Sequence, residues 1–348
     1  MRFKSKLAVE HLQLLHNVIV PISRLTGGGQ LGNTNSSVGS GTTLYLDPEH
    51  LRISSRGGAG KSVESSALNG GEGGGEGIVC FSELIALNGI FLEHKIESIA
   101  QNVIVFEIDL VQMRTALSST LQSLGGSVAA DKQVPLHNSG DGVRGGRRMS
   151  SSFQSGSSVI VVMKLAKRGG VPCLCLDTTS HDGNFDVHHA VPVRILRAEE
   201  WQHHLPPLVS TPDVQLEFQL DRPLRPVIER MKSISPYIYV EGSMQGQLVL
   251  RLDSDAVSIR TFYDKLIPRT DEESSQAEPA SCTLKIDSKK LLAALQWQSS
   301  MARGTVSSYI ICLIENEMMV VHVCLAPEDV GFFTYYVPVH FLSADMMD

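Results

Sequence analysis

Residues Val214 to Leu220 alternate apolar and polar, which places Leu216, Phe218 and Leu220 on one face of a strand. Asp221 then stands where a helix cap belongs, and prolines 223 and 226 fit only near a helix start. Leu224, Val227, Ile228 and Met231 gather on one side of a helix predicted to run to about Ser233. Three short strands follow at Tyr237–Glu241, Gln247–Leu252 and Val257–Phe262, with turn residues between them. Residues 268–281, rich in Asp, Glu, Ser and Pro, read as a surface loop. The plan then restarts with a strand at Cys282–Ile286, a helix capped by Asp287, and strands at 306–314, 317–324 and 332–337. The second half of the chain is therefore predicted to be β-α-β-β-β used twice.

The first half repeats that plan. Phe106-Glu-Ile-Asp109 and the apolar helix through Met113, Ala116 and Leu117 match Leu284-Lys-Ile-Asp287 with Leu291, Ala294 and Leu295. Val191-Pro-Val-Arg-Ile-Leu196 returns as Val337-Pro-Val-His-Phe-Leu342, and Phe3 and Leu7 before Leu14-Leu15 return as Leu216 and Leu220 before Val227-Ile228. The offsets between matched points fall from 213 to 178 to 146, so the first copy is longer by 35 and then by 32 residues. Gly/Ser-rich runs at 27–41, 56–77 and 125–157 account for the excess and hold 22 of the 30 glycines. Such runs bury too little apolar surface to offset the entropy of ordering them. They read as insertions in a first domain of 1–190, followed by an interdomain connector at 191–213 and a second domain at 214–348.

A hydrophobic content of 42% suffices for two cores, and no apolar stretch approaches the roughly 20 residues of a membrane span. Met1 to Lys6 alternates basic and apolar residues as a strand does and lacks a signal-peptide apolar region. The six cysteines include no C-x-x-C, which points to reduced thiols in a cytosolic or nuclear protein.

Four β-α-β-β-β motifs in two domains resemble the DNA sliding clamps, the fold of proliferating cell nuclear antigen, an α+β architecture with helices on one face of the sheets. Met1-Arg-Phe-Lys-Ser-Lys6, Ile228-Glu-Arg-Met-Lys-Ser-Ile-Ser235, Lys285-Ile-Asp-Ser-Lys-Lys-Leu-Leu292 and Phe333-Thr-Tyr-Tyr-Val-Pro-Val339 are similar to the Hus-one-type checkpoint clamp subunit. So is the stretch from Val191 through Trp201, Leu205 and Pro206 to Pro212-Asp-Val214. The resemblance implies a non-catalytic subunit of the heterotrimeric nine-one-one ring, with Rad-nine-like and Rad-one-like partners and an alternative clamp loader. It further implies a nuclear location, double-stranded DNA through the ring interior, repair proteins at the connector groove, no cofactor and no membrane.

A net charge of −7 argues against a surface that binds nucleic acid all round. A ring needs only a basic inner wall, and charge is segregated. From residue 214 onward 12 Lys/Arg face 18 Asp/Glu, and none of the cations lies beyond Arg303. Arg222, Arg225, Arg230 and Lys232 are nevertheless predicted on one short helix, and Lys289 and Lys290 open another. In the first domain Arg114 and Arg24 are the candidates. A solvated helix face is the plainer reading of any one such cluster. Val193, Ile195, Trp201 and Leu205 are the candidate contacts of the connector groove, where an extended partner peptide with apolar anchors is expected.

Other motifs carry less. Gly57-Gly-Ala-Gly-Lys-Ser62 resembles a phosphate loop, but Ser55 stands at the first glycine's position and no long apolar helix follows. His188-His189 and His203-His204 are adjacent pairs that diverge on any regular backbone, and no metal site is expected. No G-x-S-x-G occurs. Arg147-Arg148-Met149-Ser150 has the form of a basophilic kinase site at Ser150. The alternatives to a checkpoint clamp are a homotrimeric replicative clamp and, remotely, a nucleotide-binding enzyme built on residues 57–62.

Because loop closure costs grow by only about 0.6 kcal/mol per doubling of length, replacing 27–41, 56–77 and 125–157 with short turns is expected to preserve a single cooperative melt. Loss of that transition on thermal unfolding would show that the runs belong to the core.

Overall fold

The computed structural model describes residues 1–26, 42–57, 77–87, 89–124, 160–179, 186–201, 205–269, 280–327 and 330–340. The runs 27–41 and 125–157, most of 56–77, His203-His204 and the Ser150 motif lie outside these residues.

Four β-α-β-β-β motifs follow one another. The first is β1 (Arg2–Leu7), α1 (Val9–Thr26), β2 (Thr42–Leu46), β3 (His50–Gly57) and β4 (Ile78–Ile85). After a short strand β5 (Glu93–Glu97), the second runs through β6 (Ile104–Ile108), α2 (Leu110–Ser123), β7 (Val161–Arg168), β8 (Val171–Thr179) and β9 (Asp186–Ile195). A four-residue helix α3 (Ala198–Trp201) opens the link to the second domain. There β10 (Val214–Phe218), α4 (Arg225–Lys232), β11 (Tyr237–Ser243), β12 (Gln247–Asp253) and β13 (Ser258–Tyr263) form the third motif, followed by β14 (Ile267–Pro268). The fourth is β15 (Ser281–Asp287), α5 (Ser288–Ala294), a turn of helix α6 (Trp297–Ser300), β16 (Val306–Ile314), β17 (Met318–Leu325) and β18 (Gly331–Pro338).

The same local chemistry starts equivalent helices. Asp109 accepts from the amides of Val111 and Gln112 at 2.8 and 3.2 Å, and Asp287 from those of Lys289 and Lys290 at 2.7 and 3.1 Å. Each carboxylate satisfies N–H groups that have no partner inside the helix. The additional strands also correspond: β5 pairs with β1, and β14 with β10. Both are short, and β14 falls at the edge of the segment expected to be loop.

Two sequence expectations shift. The α4 helix begins at Arg225, after an N-cap at Leu224 that makes no side-chain bond, instead of at Asp221. Pro223 disfavours a helical residue before it, so 221–224 turn, with the Arg222 amide bonded to the Gln219 carbonyl at 3.4 Å. The connector also begins later than residue 191. β9 runs on to Ile195, exchanging its neighbour β8 for β6 at residue 193.

One 14-stranded sheet crosses both domains in the order β14-β10-β16-β17-β18-β4-β3-β2-β6-β9-β8-β7-β1-β5. A four-stranded sheet, β13-β12-β11-β15, completes the second domain. The helices lie in one layer, α1 against α2, α4 against α5, and α1 touching α6. Leu12, Leu15, Val18, Ile19 and Ile22 of α1 are fully buried with Leu7, and each such side chain contributes about 1.5–3 kcal/mol by leaving water.

The domains are joined by antiparallel pairing of β18 with β4, Gly331 to Tyr336 against Leu84 to Val79. Gly331 begins it at φ 148°, where an added Cβ would lie 2.2 Å from the Glu83 carbonyl oxygen. Gly331→Ala is expected to destabilise the chain by about 1–3 kcal/mol more than Gly304→Ala, because overpacking is added to backbone strain. Urea denaturation checks this: Gly304 also has positive φ (+84°), with nothing within 4 Å of an added Cβ.

Candidate nucleic-acid interface and connector groove

The helical layer separates the predicted cations into two kinds. On α4, Arg230 and Lys232 are exposed, and on α5 Lys289 is exposed, with Lys290 half-buried beside it. Arg225 is different. Its guanidinium pairs with Glu229 at 2.7 Å and donates to the Leu292 carbonyl at 3.2 Å and to Gln296 Oε1 at 2.8 Å. Its side chain is 18% exposed, and it ties α4 to α5 and α6. Arg222 lies in the turn before α4, exposed, and donates to the Asp264 carbonyl at 2.6 Å.

In the first domain the helical layer is nearly neutral. The exposed positions of α2 are Val111, Gln112, Thr115 and Gln122. Arg114 is half-buried and reaches Ser23 Oγ at 3.5 Å, and Arg24 is half-buried in the last turn of α1. His16 meets Ser118 Oγ at 2.9 Å. Burial, and then the charge of Arg114, lowers the pKa of His16, so the imidazole is neutral at physiological pH.

The connector groove lies on the opposite, outer face of the long sheet. Strand register aligns Phe81, Ser54, Thr43 and Glu107 in one cross-strand row, and Glu83, Arg52, Tyr45 and Val105 in the next. Trp201 stacks on Tyr45 with ring centroids 5.2 Å apart, and the Arg52 guanidinium sits 5.1 Å from the same ring's centroid. Arg52 is held by Asp47 and Glu83, both at 2.6 Å. With Leu205 and Pro206, these rows enclose a cavity of about 260 Å³.

Arg194 fixes the start of the connector. It bonds both oxygens of Glu107, at 2.9 and 2.8 Å, and Glu200 of α3 at 2.8 Å. Glu200 in turn accepts from the Arg197 amide at 2.8 Å, and that bond and Arg194 hold its carboxyl below the usual range. Val193 and Ile195, expected at the groove, instead point inward against the first domain's core, because on β9 they alternate with the outward Pro192 and Arg194. Tyr45, Arg52, Phe81 and Glu83 were not expected at the groove. Each sits at an outward position of its strand, but only the register brings these positions under Trp201.

Several strand edges are open among the described residues. β5 and β14 end the long sheet, β13 and β15 end the short one, and residues 186–192 of β9 pair only with β8. Beside β9, a cavity of about 350 Å³ is lined by Val111, Gln112, Thr115, Ala116 and Ser119 of α2 and by His189, Ala190 and Val191. His189 Nε2 has no hydrogen-bond partner among the described residues, and burial lowers the His189 pKa. No group of residues suited to a metal occurs among the described residues.

The backbone is similar to that of PCNA from Thermococcus kodakaraensis, with a TM-score of 0.54 over 97% of this chain and all of that one, at 11% identity. That likeness shows the clamp fold. Checkpoint protein HUS1 of Homo sapiens is 28% identical over 156 residues, 44% of this chain and 53% of the human protein, so the match spans about half of that relative. The checkpoint protein hus1 homolog of Dictyostelium discoideum is 26% identical over 264 residues, covering 76% of this chain and 82% of that one. Checkpoint protein hus1 of Schizosaccharomyces pombe is 26% identical over 223 residues, 59% and 72% of the two chains. The model of the Hus1-like protein family matches residues 1–340, all four motifs together, and the chain belongs to that family.

Proposed function

We propose that this chain is a non-catalytic subunit of a heterotrimeric checkpoint clamp, which encircles double-stranded DNA in the nucleus and supports damage signalling and repair. Its neighbours are Rad-nine-like and Rad-one-like subunits, and an alternative clamp loader opens the ring.

The observation that carries the ring is an unpaired strand edge in each domain, and the family carries the unlike neighbours. β13 belongs to the second domain and the free side of β9 to the first. Joined head to tail, such edges close a ring, and each junction supplies the missing strand partner. The β9 edge has a cavity of mixed polar and apolar lining beside it, and β13 presents Phe262, 56% exposed. The names of the relatives carry the checkpoint role. The groove under Trp201 receives the extended peptides of repair proteins.

Assembly separates this reading from a replicative clamp. By mass photometry the chain alone is expected to be monomeric, and to form a species of one copy each with two clamp-like partners. A stable ring of three copies of this chain would replace the heterotrimer with a homotrimer.

DNA contact is assigned to Arg222, Arg230, Lys232 and Lys289, with Lys290, Arg114 and Arg24 secondary. Such phosphate contacts act through counterion release and are indifferent to sequence. Changing the first four to Glu is expected to leave the trimer intact and to shorten its retention on closed circular DNA. Removing any one of these cations flattens the salt dependence by roughly one unit of slope. Arg225→Ala behaves differently, lowering stability by about 1–3 kcal/mol because it strands groups between α4 and α5. Retention equal to the parent's across a salt series in the fourfold variant would reduce these cations to solvated helix surface.

A further inference from the structure

The β9 edge lacks side-chain volume that the equivalent seam inside this chain possesses. The repeat offset of 146 sets β9 on β18, so Val187, His189 and Val191 stand where Phe333, Tyr335 and Val337 do. The offset of 178 sets α2 on α5 and the turn after it, so Ala116 matches Ala294 and Ser119 matches Trp297. At the seam these positions form a filled layer. Trp297 lies edge-on to Phe333 with ring centroids 6.4 Å apart, and Phe333 meets Tyr335 at 5.5 Å. All three are buried where β18 joins β4.

At the β9 edge the three rings are replaced by Ser119, Val187 and His189, and the cavity of about 350 Å³ opens between α2 and β9. Its lining mixes the apolar Val111, Ala116 and Val191 with the polar Gln112, Thr115 and Ser119. His189 lines it as well, with Nε2 buried and without a hydrogen-bond partner among the described residues. The next strand is missing on this side. A strand added there would set alternate side chains on the cavity's face, the one opposite His189 with its Cβ about 4.5–5.5 Å away.

This chain's own β13 offers no free ring for that place. Its core-facing residues are Ile259, Thr261 and Tyr263, and Tyr263 is already buried beside Phe218, ring centroids 6.0 Å apart. The exposed side chains of α4, in the same motif, are Pro226, Glu229, Arg230 and Lys232.

We infer that the neighbour paired with β9 seats a tyrosine in this cavity, its ring against Val111, Ala116 and Val191 and its hydroxyl on His189 Nε2. An aromatic ring restores the volume absent here and present at the seam. A phenol gives or accepts the hydrogen bond whichever imidazole nitrogen carries the proton, whereas a phenylalanine would leave Nε2 orphaned once water is excluded. The inference rests on the ring reading. It adds the side chain that the β9 neighbour presents, and a reason that a second copy of this chain fits this edge poorly.

The test places the photocrosslinker p-benzoylphenylalanine at Gln112, on the cavity rim, in the full-length chain mixed with two clamp-like partner chains. Mass spectrometry then maps the crosslink, which is expected to fall on one segment of one partner, around a tyrosine. Changing that tyrosine to Phe, or His189→Leu in this chain, is expected to weaken the pair on the order of 10-fold. The two changes together weaken it no more than either alone. His189→Leu leaves the melting temperature of the chain alone unchanged or raised, because Nε2 has no bond to lose there. Ser119→Trp refills the cavity from within, so it abolishes binding at β9 and leaves the β13 partner bound. A crosslink to a segment without tyrosine, additive losses, or full β9 binding by Ser119→Trp would each overturn the inference. Where mass photometry shows the three unaltered chains assembling, such results remove the inference alone; where no assembly forms, the ring reading falls with it.

Discussion

The ladder between β18 and β4 is the contact on which the rest of the architecture depends. It turns the sheets of two domains into one 14-stranded surface. Tyr335 and Cys80 face each other across it, both fully buried, and Gly331 allows the approach at its end. Because a strand has two faces and a fixed alternation, one ladder sets both sides of the molecule at once. The helices of both domains share a layer, and the outward residues of β4 and β18 become a single floor. A slip of one residue in this register would exchange those faces and destroy the groove and the helical wall together.

Within that frame the charges divide by role. Arg225, Arg194 and Arg52 spend their hydrogen bonds on the fold, joining helix to helix, connector to sheet, and strand to strand. The connector is held lightly. A stacked pair such as Trp201 and Tyr45 is worth about 0.5–1.5 kcal/mol. The Arg194 fork, 44% exposed, adds about 1 kcal/mol at most. Arg230, Lys232 and Lys289 stand on the helical layer, and among the described residues their side chains make no such tie to a neighbouring element. The α1 and α2 helices carry only the charges of Glu10, Arg24 and Arg114, so most of the cations of the helical layer sit in the second domain.

Much of this is legible in the sequence where the signals are local. Asp109 and Asp287 announce their helices by capping chemistry, and the alternation of Phe3, Leu7, Leu216 and Phe218 marks β1 and β10. The duplication follows from such signals recurring in order. What depends on register or on a second element is not legible. A helical wheel separates Arg225 from Leu224 but gives no sign that Gln296 and the Leu292 carbonyl wait on another helix. At the start of α4 two local signals compete: Asp221 has the chemistry of a cap, and Pro223 bars the helix from starting there. Val191, Val193 and Ile195 also alternate with Pro192 and Arg194, a strand pattern that the prolines of the connector obscure.

The central claim is that this chain completes the open edges of β9 and β13 only with unlike neighbours. Hydrogen–deuterium exchange at residues 187–192 of β9 and 258–263 of β13 tests it most directly. The account predicts fast exchange of the outward amides of both segments in the chain alone, at any attainable concentration. One of the two partner chains should protect β9, the other β13, and both together should protect both segments. Protection of both edges in the chain alone at high concentration, or neither edge protected in the presence of both partners, would contradict it.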